Sequence, residues 1–264
     1  MKRTVLTIQS MKDKGEKITA LTAYETLFAA YLDACGIDII LVGDSAGMVF
    51  AGHDSTIPVT MEDMLYHTLA VKRAVREALL VADLPFMSYQ VSVEDALRNA
   101  GRLLQEGGAE AVKMEGGKRI LPQVAACVEA GIPVMGHLGM TPQSVNRFGG
   151  FATRGKDNAE ADTLKQDALL LEKAGAFSIV LEKIPAKLGK EISEMLRIPT
   201  IGIGAGLYTD GQILVTQDML GMYEKFKPKF VRRYADIATE IKRAVNTYAE
   251  DVKQGRFPAE EESF

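Results

Sequence analysis

Residues 171–185 read LEKAGAFSIVLEKIP, and the order of residue types in this stretch decides the fold. A leucine-bearing helical turn stops at Ala-Gly, where glycine past the last turn accepts the left-handed backbone that ends a helix. The run Ser-Ile-Val-Leu (178–181) then reads as a strand buried on both faces, and a lone carboxylate, Glu182, follows it. The same helix–glycine–strand unit recurs at 103–110 (LLQEGGAE) and 127–134 (CVEAGIPV), so one unit repeats along the chain. Apolar runs occur at 18–22 (ITALT), 37–42 (IDIILV), 78–82 (ALLVA), 111–114 (AVKM), 133–137 (PVMGH), 178–181 (SIVL), 200–203 (TIGI) and 212–215 (QILV). Amphipathic stretches such as 93–106 (VEDALRNAGRLLQE) and 162–174 (DTLKQDALLLEKA) lie between them. Eight strands alternating with helices predict an α/β fold, a single (β/α)8 TIM barrel.

A length of 264 residues suits one such barrel, and 47% hydrophobic residues supply its core. The expected organisation is one catalytic domain over residues 1–264, with an acidic tail from about residue 253 (KQGRFPAEEESF) on the surface or against a neighbouring subunit. The net charge is −4 and lysines and arginines are scattered, which argues against a nucleic-acid partner. No run approaches a membrane span and the first residues, MKRTVLTIQSMKDKG, lack a signal peptide's apolar stretch, so a cytoplasmic protein with no membrane partner is expected. Cys35 and Cys127 sit at helix ends with no second thiol at ligand spacing, and both read as ordinary buried thiols.

Barrel enzymes place their chemistry at the carboxyl ends of the strands. Here those ends carry Asp44 and Ser45, Asp83, Lys113 and Glu115, His137, and Glu182. Crowded carboxylates repel unless a cation neutralises them, and oxygen-only ligands favour a hard dication such as Mg2+. Asp44 and Asp83, at the ends of adjacent strands, are candidate direct metal ligands, with Glu115 binding directly or through water; a helix cap is the plainer role of any one strand-end Asp. Lys113 and Glu115 stand two apart on a strand, so both point to one face. Lys113 either holds the carboxylate or oxo group of a small acid or pairs with Glu115. Glu182 after an apolar strand reads either as a partly desolvated base for a weak carbon acid or as a strand-end carboxylate paired to Lys183. His137 either contacts substrate or orients another side chain by a hydrogen bond. His53 and His67 carry no assigned role. The run GIGAG (202–206) follows strand seven, where barrels bind phosphate, but it also suits close backbone approach.

The segments LTAYE (21–25), LVGDSAGMVFAGHDST (41–56), ADLPFMSY (82–89), VKMEGG (112–117), GHLGMTPQSVNRFGG (136–150), LEKIP (181–185), IGIGAG (201–206) and PKF (228–230) resemble the ketopantoate hydroxymethyltransferase family over nearly the whole chain. The resemblance implies a barrel of the phosphoenolpyruvate mutase and isocitrate lyase superfamily, a Mg2+ ion, and the substrates 3-methyl-2-oxobutanoate and 5,10-methylenetetrahydrofolate. It implies hydroxymethyl transfer through a magnesium-stabilised enolate to give 2-dehydropantoate, and a homodecamer. On matching positions, Asp44 and Asp83 would bind the metal with Glu115 as a further ligand. Asp44, Ser45, Asp83 and Lys113 would meet the oxo acid, and Glu182 would accept the proton. Two places depart from the family pattern: 221–229 (GMYEKFKPK) is bulkier and more charged, and Lys183 stands where a small or apolar residue is expected.

Three rival readings have distinct signatures. A carbon–carbon lyase of the same superfamily needs a loop cysteine that neither Cys35 nor Cys127 supplies. A Schiff-base aldolase would use Lys113, and a non-catalytic oxo-acid sensor would bind its ligand without exchanging the C3 hydrogen.

Overall fold

The computed structural model describes residues 2–224 and 227–264. The chain divides into two compact units, Met1–Val215 and Thr216–Phe264. The first holds eight parallel strands in one closed barrel, each paired with its neighbours in sequence order and the last with the first. They are β1 (Ile18–Thr22), β2 (Ile39–Val42), β3 (Leu79–Asp83), β4 (Ala111–Glu115), β5 (Val134–Gly139), β6 (Ser178–Glu182), β7 (Thr200–Ile203) and β8 (Gly211–Leu214). The barrel is therefore a (β/α)8 TIM barrel. In this unit the helices are α1 (Val5–Asp13), α2 (Thr26–Ala34), α3 (Ala46–Val49), α4 (Met61–Lys72), α5 (Val93–Gln105), α6 (Leu121–Glu129), α7 (Val145–Phe148), α8 (Asn158–Lys173) and α9 (Ala186–Met195). Residues 204–210, between β7 and β8, form bends and irregular backbone rather than a helix.

Strand periodicity explains both core and site. Ile18 and Ala20, Ile39 and Leu41, Leu79 and Val81, Ala111, Met135, Val180, Ile201 and Ile213 form one buried cluster, joined by Ile8 and Met11 of α1. Side chains two apart share a face. Continuing that face toward the carboxyl ends, Val81 leads to Asp83, Ala111 to Lys113 and Glu115, Met135 to His137, and Val180 to Glu182. The same inward parity that fills the barrel floor with apolar groups thus lines its mouth with charged ones. The glycine ends read from sequence also form: Gly175, after α8, has φ +94°.

The run at 202–206 serves packing. A Cβ on Gly206 would stand 2.4 Å from Ala186 Cβ, so the glycine lets this turn lie directly on α9. Of the two thiols expected to be buried, Cys127 is, and burial pushes it up to about 11. Cys35 is exposed, because it caps α2 beyond that helix's buried residues Ala29 and Leu32.

The second unit contains α10 (Thr216–Met219) and α11 (Ile237–Lys253), and its residues from Gln254 onward are exposed. Tyr234 N–H donates to Met219 O at 2.8 Å and Ile237 N–H to Leu220 O at 3.0 Å, which ties the segment between these helices back to α10. Within the atypical stretch 221–229, Lys225 and Phe226 lie outside the described residues. Among the described residues no helix is long and apolar enough to cross a membrane.

Candidate active site

The ends of β2 to β6 bring the acidic and basic residues into one continuous chain of contacts. Backbone register sets the first links, since Asp83 pairs with Lys113, Glu115 with His137, and Gly139 with Glu182 across neighbouring strands. The Asp44 N–H donates to Asp83 Oδ2 at 3.0 Å, and Lys113 Nζ makes a short ion pair with Asp83 Oδ1. Lys113 Nζ lies 4.0 Å from Glu115 Oε1, which takes a 3.0 Å contact from His137 Nδ1. His137 Nε2 in turn lies 3.4 Å from Glu182 Oε2. Asp44, Asp83, Lys113, Glu115 and His137 are buried, while Ser45 and Glu182 are partly exposed at the opening. Gly43 makes the β2 end compact, because a Cβ there would stand 2.8 Å from Ser45 Oγ and 3.4 Å from Asp83 Oδ2.

Lys113 therefore pairs foremost with Asp83 rather than with Glu115, its strand neighbour. Nor does Lys183 pair with Glu182. Its backbone turns left-handed, φ +49°, and its ammonium donates to Phe151 O. The carboxylate that ends β6 is left facing the barrel mouth and His137.

Burial in a water-poor site and the charges of Asp83 and Glu115 raise Asp44 well above the ordinary carboxylate range. Burial also raises Asp83, against the pull of Lys113. For Glu115 burial acts upward too, but the charge and hydrogen bond of His137, with Lys113, hold the group below its usual value. Burial lowers Lys113, yet the three surrounding carboxylates outweigh it and the ammonium is held more tightly than in water. His137 follows the same logic, and Glu115 lifts the ring to about 9.

Sequence reading missed the groups that hold this cluster in place. Tyr24 OH lies 2.8 Å from Ser45 Oγ, and His67 Nδ1 lies 2.6 Å from Tyr24 O. Tyr89 OH accepts the Glu115 N–H at 2.9 Å and has Glu115 O and Gln143 Oε1 as acceptors at 3.0 and 2.9 Å. Gln143 reaches Asp44, 99 residues away, at 2.9 Å. Tyr24, Tyr89 and Gln143 lie in motifs quoted above and His67 lies outside them, but nothing local in sequence reveals the partners of any of the four. Beside Glu115 and Gln143 opens a cavity of about 400 Å³, whose walls include Phe86, Tyr89, Arg119 and Arg147.

Comparison with known proteins gives this geometry its lineage. The chain matches the model of the family described as ketopantoate hydroxymethyltransferase over residues 2–260. A protein of Syntrophus aciditrophicus (strain SB) named 3-methyl-2-oxobutanoate hydroxymethyltransferase is 57% identical over 263 residues, covering 100% of this chain and 97% of that protein. A protein of the same name from Clostridium botulinum (strain Langeland / NCTC 10281 / Type F) is 58% identical over 264 residues, covering 100% and 96%. Among solved structures, phosphonopyruvate hydrolase is similar with a TM-score of 0.65 at 14% identity, covering 99% of this chain and 93% of the other. A 2,3-dimethylmalate lyase of the PEP mutase/isocitrate lyase superfamily gives 0.62 at 13% identity, covering 100% and 89%. At such identities these two likenesses speak for the fold alone. The full-length family match and the relatives above half identity decide the lineage: this chain belongs to the ketopantoate hydroxymethyltransferase family.

Proposed function

We propose that this chain is a 3-methyl-2-oxobutanoate hydroxymethyltransferase in which Glu182 removes the C3 proton of the oxo acid and 5,10-methylenetetrahydrofolate supplies the one-carbon unit. The observation that carries the reading is the contact chain from Asp44 to Glu182 at one barrel mouth, in a member of this family.

The residues fit a Mg2+ ion. Four carboxylates, Asp44, Asp83, Glu115 and Glu182, meet two basic groups, Lys113 and His137, which leaves negative charge uncompensated in a buried site. Asp44 Oδ2 accepts from Gln143, and its Oδ1 has no hydrogen-bond partner among the described residues. Both oxygens of Glu115 are engaged, by His137 and by the Gln143 N–H, and no three His, Cys, Asp or Glu side chains among the described residues form a ready metal-holding group. Asp44 would hold the ion through Oδ1; Asp83, whose oxygens carry the Asp44 N–H and Lys113, would join it as the second ligand the family implies, and Glu115 would bind directly or through one of the waters magnesium keeps. When bound, Mg2+ supplies a Lewis acid that polarises the 2-oxo group.

The chain's own groups do the rest. Lys113 places a fixed cation beside Asp83 for the carboxylate or oxo group of the substrate, and Ser45, steadied by Tyr24, offers a hydroxyl at the opening. The partly exposed Glu182 accepts the C3 proton, and the neighbouring His137 charge steadies its carboxylate. A carbon–carbon bond then forms between C3 and the donor's methylene carbon. That carbon is held by two folate nitrogens: one carbon–nitrogen bond breaks as the donor opens for attack by C3, the other as water delivers the hydroxyl, and the two nitrogens take up the C3 proton and the second proton of water, so that 2-dehydropantoate and tetrahydrofolate leave. The cavity lined by Glu115 and Gln143 would give the second reactant room. The same family reading carries a homodecamer acting in the cytoplasm, and light scattering of the purified protein measures the first of these.

Proton NMR of 3-methyl-2-oxobutanoate in deuterated buffer tests the reading. The C3 hydrogen should exchange only with both protein and Mg2+ present; no acceleration would reject it.

A further inference from the structure

We propose that Gln143 is a positioning residue that locks the Asp44 and Glu115 carboxylates into the arrangement that accepts a divalent cation. The inference rests on the magnesium reading above and assigns a role to a residue outside the acidic and basic set.

Gln143 is buried and makes five hydrogen bonds. Its Nε2 donates to Asp44 Oδ2 and to Leu84 O, both at 2.9 Å. Its Oε1 accepts from Tyr89 OH at 2.9 Å and Gln90 Nε2 at 3.0 Å. Its own N–H donates to Glu115 Oε2 at 3.0 Å. These partners fix which way the amide points. A carboxylate and a carbonyl can only accept, so the nitrogen must face them, and both of its protons are then used. Rotating the amide would set oxygen against oxygen at Asp44 and Leu84 while turning a donor toward the Gln90 amide nitrogen.

The consequence is a rigid bracket across strands. One side chain ties Asp44, two residues past β2, to Leu84, the residue after β3, and the same residue's backbone holds Glu115 at the end of β4. With Asp44 Oδ2 pinned, the plane of that carboxylate is set and Oδ1 is presented in one direction. Groups that orient ligating carboxylates typically change metal affinity by ~10–100-fold when removed. A residue that merely filled space here would alter stability and leave cation affinity unchanged.

Calorimetric titration of the substrate-free full chain with Mg2+, and with Mn2+ as a second probe, tests the proposal in Gln143→Met and Gln90→Leu. Gln143→Met keeps the chain's bulk and the N–H to Glu115 but removes the donor to Asp44, and its dissociation constant for both ions should rise ~10–100-fold. Gln90→Leu takes away one of the two donors that hold the amide and should weaken binding by a smaller factor. A wild-type dissociation constant in Gln143→Met overturns the proposal. If that variant fails to fold, Gln90→Leu decides, with weaker binding supporting the bracket and unchanged binding rejecting it. Absence of saturable Mg2+ binding by the unsubstituted protein would overturn the magnesium reading and this inference together, whereas unchanged affinity in the variants overturns only the latter.

Discussion

Glu182 Oε2 stands 3.4 Å from His137 Nε2, and that ring nitrogen has no hydrogen-bond partner among the described residues. The carboxylate thus faces a cation without being aligned to it, and it remains able to accept a proton from a ligand at the mouth. Glu182→Gln keeps shape and polarity but removes the proton acceptor. Exchange of the C3 hydrogen should fall by about two to four orders of magnitude, the usual contribution of a positioned base. Mg2+ and oxo-acid binding, measured calorimetrically, should stay within a few-fold of the original. Fast exchange in this variant would remove Glu182 from the role of base.

His137 carries a pH signature of its own. Burial favours the neutral ring, but the Glu115 charge and hydrogen bond prevail and raise it to about 9 in the metal-free protein. A histidine raised in the folded state adds stability that is complete below its unfolded value of about 6.5 and is lost as pH rises through the folded value. Stability should therefore decline between roughly pH 6.5 and 9, and His137→Gln should flatten that part of the profile. Nitrogen-15 NMR of the imidazole reads the charge directly: a ring neutral at pH 7.5 would contradict the geometry.

The architecture was legible because barrel strands obey a two-residue period and end in polar groups. Inward parity alone carries Val81 to Asp83, Met135 to His137 and Val180 to Glu182. Which carboxylate takes which cation was not legible. Lys113 sits two residues from Glu115 yet pairs with Asp83, its cross-strand neighbour in register, and Lys183 turns left-handed away from Glu182. Gln143 and Tyr89 stayed invisible for a related reason. An amide or a hydroxyl has no sequence pattern of its own, and its partners come from other loops once the barrel closes.

Far from the mouth, Asp33 of α2 holds the turn that enters β3. Its carboxylate accepts N–H bonds from Arg76, Glu77 and Ala78 at 2.8–3.2 Å. Partial burial acts to raise the group, but these donors outweigh it and hold it below the usual value. A depressed carboxyl gives stability that is present above its unfolded value of about 3.9 and is lost as pH falls through the folded one. Asp33→Asn, which turns an amide nitrogen toward N–H groups, should lose about 1–2 kcal/mol at pH 7 in urea unfolding, a modest figure because the site is half open to water. The difference from the unsubstituted protein should shrink below pH 4. An equal deficit at pH 3 and pH 7 would show that the charge has no part in the turn.

Gly139, at the end of β5, controls where Glu182 sits. Its φ is +96°, and an added Cβ would stand 2.2 Å from Glu182 O and 2.8 Å from Ile184 Cγ2. The clash is with backbone, so no side-chain rotation relieves it. Met140 N–H also donates to Glu182 O at 2.8 Å, which couples the two strand ends. Gly139→Ala should therefore cost about 1–3 kcal/mol in backbone strain and displace the base. Asp44 and Asp83 stand at the ends of β2 and β3, and Mg2+ affinity should stay within about threefold because they touch neither Gly139 nor Glu182. C3 exchange should drop at least tenfold, since a base displaced by about an ångström loses its reach. If Gly139→Ala instead weakens magnesium binding and spares exchange, the position of Glu182 does not govern removal of the C3 proton.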